Sequence, residues 1–303
     1  MLQLGKYTIT GGILAPMAGY TDVAFRQLCK ECGAGLTVSE MVSVRGLIHD
    51  SEKTRSLMRM SEAESPSCVQ LFGSVPDDFA RAAGMVDCDI IDVNMGCPMP
   101  KITKNGDGAA LLNNPELAGK IVAALKNATD KPITVKTRLG YYIEQNQAGA
   151  LIQSVAQAGA AAVTVHGRYA KQMYIGISDS AETLELAKSS PVPIIFNGDI
   201  PELYPVKPPI AALMIGRHAL SNPHVFDDKE KAPFAVARRH IELLTMYFDE
   251  RYTINQARKF FVHYFSGVTG SKELRNAVNI AQNVSEVITA LDKCEKLNQS
   301  IYD

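Results

Sequence analysis

The sequence predicts an α/β fold: a parallel (β/α)8 TIM barrel followed by a small C-terminal helical bundle domain. Three observations predict it. Eight short β-rich runs, mostly separated by helical patterns, occupy residues 1–227. From about Asp227 the alternation stops and only amphipathic helical stripes remain. No G-x-G-x-x-G follows the first strand, and an open doubly wound sheet would not normally need eight such units. The expected division is a barrel over 1–227 and a helical unit over 228–303, joined in the charged stretch Asp227–Lys231.

The first strand is Ile13–Ala15, ended by Pro16. Thr21 or Asp22 can cap a helix in which Phe25, Leu28, Cys29 and Cys32 share a face. Leu36–Ser39 is the second strand, and residues 42–66 read as a long polar connection. Cys68–Phe72 is the third strand. Pro76 opens a helix with Phe79, Ala82, Ala83 and Val86 on one side. Ile90–Asn94 is the fourth strand, followed by a glycine-rich loop over 99–110. Asn114 and Pro115 start a helix running to Ala128. Ile133–Thr137, Ala162–His166, Pro193–Phe196 and Ala212–Ile215 complete the set. A helix around Leu151, Ile152 and Val155 lies between the first two of these. Prolines 201, 205, 208 and 209 leave room for one helical turn at most before the last strand. In the tail, three stripes read as helices: Val236, His240, Leu243 and Tyr247; Phe261, Tyr264, Phe265 and Val268; and Ile280, Val284, Val287, Ile288 and Leu291.

Composition narrows the class. Hydrophobic content of 46% and charged content of 21% are ordinary for a soluble globular protein. No apolar run approaches the ~20 residues of a membrane span, and the N-terminus lacks the basic start and apolar core of a signal peptide. A cytoplasmic protein is expected. Six irregularly spaced cysteines fit free thiols in a reducing compartment. Cys29 and Cys32 form a lone C-x-x-C that a helical core face explains, so no metal is expected. A net charge of −1 gives no global signal for nucleic acid, which would need a local basic patch.

In such barrels the chemistry sits at the C-terminal ends of the strands. Here nearly every strand end delivers a polar side chain or a glycine turn. Gly96 and Pro98 force a turn after Asn94 and hold Cys97 at a strand end, where a thiol can act as proton donor or nucleophile over a pocket. Lys136 on a barrel strand needs an anionic partner, such as a phosphate or a reduced flavin ring. Gln70 can both donate and accept, which suits a flavin edge. His166, beside Gly167 and Arg168, reads as a ligand contact. Asn197-Gly198-Asp199 and Gly216-Arg217 follow the last two strands, where backbone N–H groups often build a phosphate site.

These blocks resemble the tRNA-dihydrouridine synthase family. The matching stretches are A-P-M-A-G-Y-T-D (15–22), V-Q-L-F-G (69–73), D-V-N-M-G-C-P (92–98) with Lys101, and G-A-A-L-L (108–112). They continue with V-K-T-R (135–138), T-V-H-G-R (164–168), N-G-D-I (197–200) and M-I-G-R (214–217). The resemblance implies an FMN-bound barrel that reduces the C5–C6 bond of particular uridines in tRNA, with NADPH as reductant. Hydride would pass from the flavin to C6, and Cys97 would protonate C5. The flavin-binding positions would be Pro16, Met17, Ala18, Gln70, Lys136, His166, Asn197, Gly198, Asp199, Gly216 and Arg217. Asn94 would hold the uracil edge, with Arg138 and Lys101 near the RNA. The chain departs from the family pattern in two places. Ser180 stands where a Trp often follows Tyr-x-Gly-x-x-Asp, and the proline-rich connection replaces a helix.

Two other readings are open. One is a flavin barrel acting on a small free pyrimidine or enone; the other is an RNA-binding module without catalysis. Nine Lys/Arg against five Asp/Glu between Lys229 and Arg275 favour RNA only modestly. Arg258 and Lys259 are the expected RNA contacts of the tail. A monomer is expected.

Overall fold

The structure, a computed structural model, describes residues 1–227 and 229–302. Asp228, where the tail is expected to begin, lies outside the described residues.

The chain opens with a hairpin of β1 (Leu2–Leu4) and β2 (Tyr7–Ile9) that periodicity did not signal. Then come β3 (Ile13–Leu14), α1 (Val23–Glu31), β4 (Leu36–Thr37), β5 (Met41–Ser43), α2 (Val44–Ile48) and α3 (Glu52–Ser56). Next are β6 (Cys68–Phe72), α4 (Pro76–Ala83), β7 (Ile90–Met95), α5 (Pro100–Thr103), a 3-10 turn Gly108–Asn113 and α6 (Pro115–Ala128). The barrel continues with β8 (Ile133–Arg138), α7 (Ala148–Gln157), β9 (Ala162–His166), α8 (Ser180–Ser189), β10 (Ile194–Asn197) and β11 (Ile210–Ile215). The short α9 (Arg217–Ser221) follows. The tail is α10 (Pro233–Tyr247), α11 (Glu250–Tyr264), α12 (Ser271–Ile280) and α13 (Val284–Tyr302).

The nine barrel segments pair in parallel in the order β4-β3-β11-β10-β9-β8-β7-β6-β5. The two ends of this order are consecutive in the chain, so residues 38–40 close the ring. The expected second strand, Leu36–Ser39, is thus shortened to β4, and β5 is a further short strand at the start of the stretch expected as a connection. β4 pairs with β3 and β5 with β6. Ser39 spans the seam: its N–H donates to the Cys68 carbonyl at 3.0 Å, and its hydroxyl accepts from the Gln70 N–H at 3.0 Å. The expected polar connection 42–66 in fact buries Val42, Val44 and Leu47. Serines cap its two one-turn helices: Ser43 accepts from Gly46 and Ser51 from Thr54. The glycine-rich loop likewise holds α5 and the 3-10 turn. Residues 201–209 form no helix, as the prolines require.

Alternate strand residues face the barrel interior. Toward the N-terminal ends these are apolar: Cys68, Ile90, Ala162, Ile195 and Ala212 cluster with Leu2, Leu4 and Ile9 of the hairpin, which plugs the barrel from below. Further along the strands the interior turns polar. Gln70, Asp92, Asn94, Thr134, Thr164, His166 and Asn197 are all buried. The outward faces pack against α4, α6, α7 and α8 in the largest core cluster.

Asp22 caps α1, accepting the Phe25 N–H at 2.9 Å. Cys29 and Cys32 lie buried on its inner face. That face joins the tail: the Phe25 ring meets His240 and Phe260 at 5.6 and 4.8 Å, within one core shared by α10, α11, α12 and α13. Ile280, expected in the third stripe, is 75% exposed because α12 ends there.

A buried ion pair fastens α1 to the segment before β6. Arg26 Nε lies 2.6 Å from Glu64 Oε2, and Nη2 lies 3.2 Å from Oε1. Glu64 also accepts from the Thr37 hydroxyl and the Ser61 N–H. Both side chains are at most 1% exposed. Removing one partner strands a buried charge. Glu64→Ala is expected to cost about 3–5 kcal/mol, read as a lower midpoint of urea unfolding; a loss below about 1 kcal/mol, the value of a surface pair, would contradict this assignment.

Candidate active site

The C-terminal mouth of the barrel opens into a cavity of about 700 Å³. It is lined by Pro16, Met17, Ala18, Gln70, Asn94, Cys97, Lys136, Arg138, His166, Asn197, Gly198, Asp199, Gly216 and Arg217. Of the catalytic, flavin and substrate positions expected in the barrel, Lys101 is the one off its wall, exposed on α5; Arg258 and Lys259 of the tail also lie off it. Tyr20, Met41, Tyr174, His218 and His263 also line the cavity and were not anticipated. Tyr174 carried a signal, since it sits in the Tyr-x-Gly-x-x-Asp block; His263 belongs to the tail and carried none.

A hydrogen-bonded chain runs from the barrel interior to the cysteine turn. Asp92 Oδ1 accepts from the Thr134 hydroxyl at 2.6 Å, and Oδ2 accepts from Gln70 Nε2 at 2.7 Å. Gln70 Oε1 accepts from Asn94 Nδ2 at 2.9 Å. Asn94 Oδ1 then accepts the N–H groups of Gly96 at 3.3 Å and Cys97 at 2.9 Å. An ionised carboxylate only accepts, so each amide above it has one orientation. Burial pushes the Asp92 carboxyl up, against the pull of these donors.

Cys97 is half-buried, and burial pushes its thiol above the ordinary value. Arg138 closes the turn from the other side: Nε donates to the Gly96 carbonyl at 2.9 Å, and Nη1 donates to the Tyr169 and Met173 carbonyls at 3.1 and 2.7 Å. Gly96 has Thr137 backbone 3.1 Å from where a Cβ would sit, so a side chain here would force strand β8 away.

Lys136 opens on the cavity from deep inside the barrel. Its ammonium donates to Asn197 Oδ1 at 3.0 Å, and among the described residues no carboxylate lies within ion-pair distance of it. Burial, then the Arg138 charge, lowers its pKa to about 8. The Asn197 amide is fixed in turn by donating to the Met214 carbonyl at 2.7 Å.

His166 is held neutral, first by burial and then by the surrounding cations. Arg168 Nη1 lies 3.2 Å from His166 Nε2; since the guanidinium can only donate, Nε2 accepts. Asp199 accepts from two arginines, Arg168 at 2.5 Å and Arg217 at 2.7 Å. Its side chain therefore faces cations of the protein. Gly198 has φ +126°, and a Cβ there would meet Ser178 and His166 below 3 Å.

The expected tail contacts, Arg258 and Lys259, are half-buried and hold partners within the protein. Arg258 donates to the Val278 and Ala281 carbonyls at the end of α12. Lys259 donates to the Gly19 carbonyl and lies 4.3 Å over the Tyr20 ring. Both tie the tail together or to the barrel mouth. The overall charge count carried no information about direction.

Among the described residues no helix is long and apolar enough to cross a membrane. Residues 13–301 match the family described as dihydrouridine synthase (Dus). The chain is 33% identical to a probable tRNA-dihydrouridine synthase of Rickettsia conorii, over 99% of this chain and 100% of that one. It is 31% identical to tRNA-dihydrouridine synthase B of Proteus vulgaris, over 96% and 97% of the two chains. Among solved structures, the old yellow enzyme homologue of Zymomonas mobilis superposes with a TM-score of 0.54 at 12% identity, covering 73% of this chain and 89% of that one. Morphinone reductase superposes at 0.51 with 13% identity, covering 78% and 91%. Both share the barrel fold. With a family match across nearly its whole length and full-length relatives above 30% identity, the chain belongs to the dihydrouridine synthase family.

Proposed function

We propose that this protein reduces uridines of tRNA to 5,6-dihydrouridine, with FMN in the barrel cavity, NADPH as reductant and Cys97 as the acid. The observation that carries this reading is a half-buried thiol on the wall of the same cavity into which Lys136 points without a carboxylate partner. The relatives named as tRNA-dihydrouridine synthases supply the substrate class.

The residues present fit FMN. Lys136 is a buried cation whose nearest partner is a neutral amide, which suits an anionic ring or phosphate. Gly198 and Gly216 keep the backbone bare at the ends of β10 and β11, and Arg217 adds a partly exposed charge beside them. When bound, FMN supplies hydride transfer. Everything else falls to the side chains. Pro16, Met17, Ala18, Gln70, His166 and Asn197 shape and pair with the ring and its chain, while Asp199 holds Arg217 in place. Asn94 keeps one amide hydrogen directed only at the Met41 sulfur, 4.0 Å away, and this hydrogen is free to meet a uracil carbonyl. Arg138 and Lys101 stand on the substrate side, and the helices after residue 227 complete the RNA-binding unit. Cys97 holds a proton at Sγ and gives it to uracil C5. A uridine in folded RNA reaches this point only when flipped from its stack.

Three outcomes test this reading. Arg217→Ala should weaken FMN retention by roughly 1.5 kcal/mol, the low end for a charge-assisted contact because Asp199 shares the guanidinium; unchanged affinity would move the phosphate elsewhere. Lys136→Met keeps length and removes charge. It should impair FMN binding or reduction by NADPH, followed by flavin absorbance, and a variant normal in both would remove Lys136 from the cofactor. Cys97→Ala should leave reduction by NADPH intact but slow reoxidation by tRNA by about 10²–10⁴-fold. The thiol lies above its ordinary pKa of about 8.5, so the acid form persists through neutrality. Parent reoxidation should stay level from about pH 6 to 7 and fall at higher pH, where Lys136 and then the thiol lose their protons. A fall beginning below neutrality, or a fast alanine variant, would assign the proton to another group.

A further inference from the structure

A uridine leaving its stack exposes the bases on either side of it, and the barrel rim carries a surface able to receive them. Two loops stand side by side there, residues 140–147 after β8 and 169–178 after β9. Ala170 N–H donates to the Gly140 carbonyl at 2.8 Å, and Lys171 N–H donates to the Tyr141 carbonyl at 3.0 Å. Tyr142, Ile143, Tyr174, Ile175 and Ile177 are 48–84% exposed, five of the fourteen exposed large apolar side chains among the described residues. Such side chains scattered singly need no explanation; five on one rim do.

The rim is built, not loose. Tyr141 N–H donates to Gln147 Oε1 at 2.6 Å, and Gln147 Nε2 donates to Asn113 Oδ1 at 2.8 Å. Arg168 Nη2 donates to the Gly176 carbonyl at 2.7 Å. Gly140 lies so close to the Gln145 carbonyl that a Cβ would overlap it. The rim also pairs rings with cations. Lys171 Nζ lies 5.4 and 6.0 Å from the Tyr141 and Tyr142 centroids. Arg138 and Arg217 flank Tyr174 at 5.3 and 5.4 Å. Exposed rings beside positive charge match a nucleic acid strand, which presents base faces next to phosphates. Tyr174 lines the cavity, so this surface is continuous with the site.

We infer that this rim is where the RNA is held open. Tyr142 stacks a base next to the reduced uridine, Ile175 and Ile177 wedge into the gap the uridine leaves, and Lys171 takes an adjacent phosphate. The inference rests on the function proposed above. It adds RNA contacts beyond the tail, whose Arg258 and Lys259 already hold backbone carbonyls of the protein.

The test uses the full chain loaded with FMN and an unmodified tRNA transcript. None of Tyr142, Lys171, Ile175 and Ile177 lines the cavity, so reduction by NADPH should be unchanged in every variant and certifies the fold. Tyr142→Ala, and Ile175→Ser combined with Ile177→Ser, should each raise the Kd for tRNA by about 5- to 150-fold, as expected for a lost stacked base. Lys171→Met should reduce the slope of log K against log salt by about 0.7–0.9, one phosphate's worth. Affinities within about twofold of the parent in both apolar variants, below the smallest stacking effect, would overturn the inference, while tRNA-driven reoxidation in the parent would leave the proposed function standing. A parent that neither binds tRNA nor is reoxidised by it would overturn both. Sedimentation provides the remaining arm: variants that convert a dimer to a monomer yet bind tRNA normally would make the rim a self-association face and overturn the RNA assignment.

Discussion

A carboxylate inside the barrel governs the site above it. Asp92 is 2% exposed and only accepts hydrogen bonds in its ionised form. Its bond to Gln70 fixes which end of that amide meets Asn94, and Asn94 in turn cradles the N–H groups of the turn carrying Cys97. Reversing one amide would put donor against donor along the line. The position of the thiol therefore depends on a group lower on the same strand, β7, acting through Gln70 on β6, that is not on the cavity wall. A buried hydrogen-bonded network of this kind rigidifies what it holds, while Asn94 keeps one hydrogen for a ligand.

The mouth is assembled from parts that lie far apart in the chain. Arg138 joins the Gly96 turn to the loop that carries Tyr174. Asp199 joins Arg168 to Arg217, and so links the ends of β9, β10 and β11. Lys259 reaches from the tail to the Gly19 carbonyl, in the loop after β3. Nearby, Asp22 accepts from the Tyr252 hydroxyl at 3.1 Å, with its carboxyl pushed up to about 6 by burial. Helices α10 to α13 are thus tied both to the core through Phe25 and to the cavity's edge.

Much of this was legible before any coordinates. The strands announced themselves because each is a short β-rich run bounded by glycine, proline or a cap, and the strand ends carried the polar residues that meet in the cavity. What escaped notice was set by tertiary context. The split between Thr37 and Met41 depends on how the ring closes, and no local pattern marks it. Helices α2 and α3 are single turns, too short for a period to register. Arg26 and Glu64 are thirty-eight residues apart, so nothing local pairs them. Arg258 and Lys259 were counted as surface charge because a count does not say where a side chain points. Tyr142, Ile175 and Ile177 gave no periodic signal, since they act from loops.

The closure of the ring between β4 and β5 has a mechanical consequence. Elsewhere neighbouring segments are joined by parallel ladders, with one register shift between β10 and β11, but at residues 38–40 the circumference is completed by the backbone itself and by Ser39. Glu40, the next residue, accepts from the Gly19 N–H at 2.5 Å, and the Gly19 carbonyl takes Lys259 from the tail. The joint is therefore clamped from outside by the same helices that border the mouth. The tail thus meets the barrel at the point where its ring is closed by the backbone and Ser39, beside the mouth of the cavity.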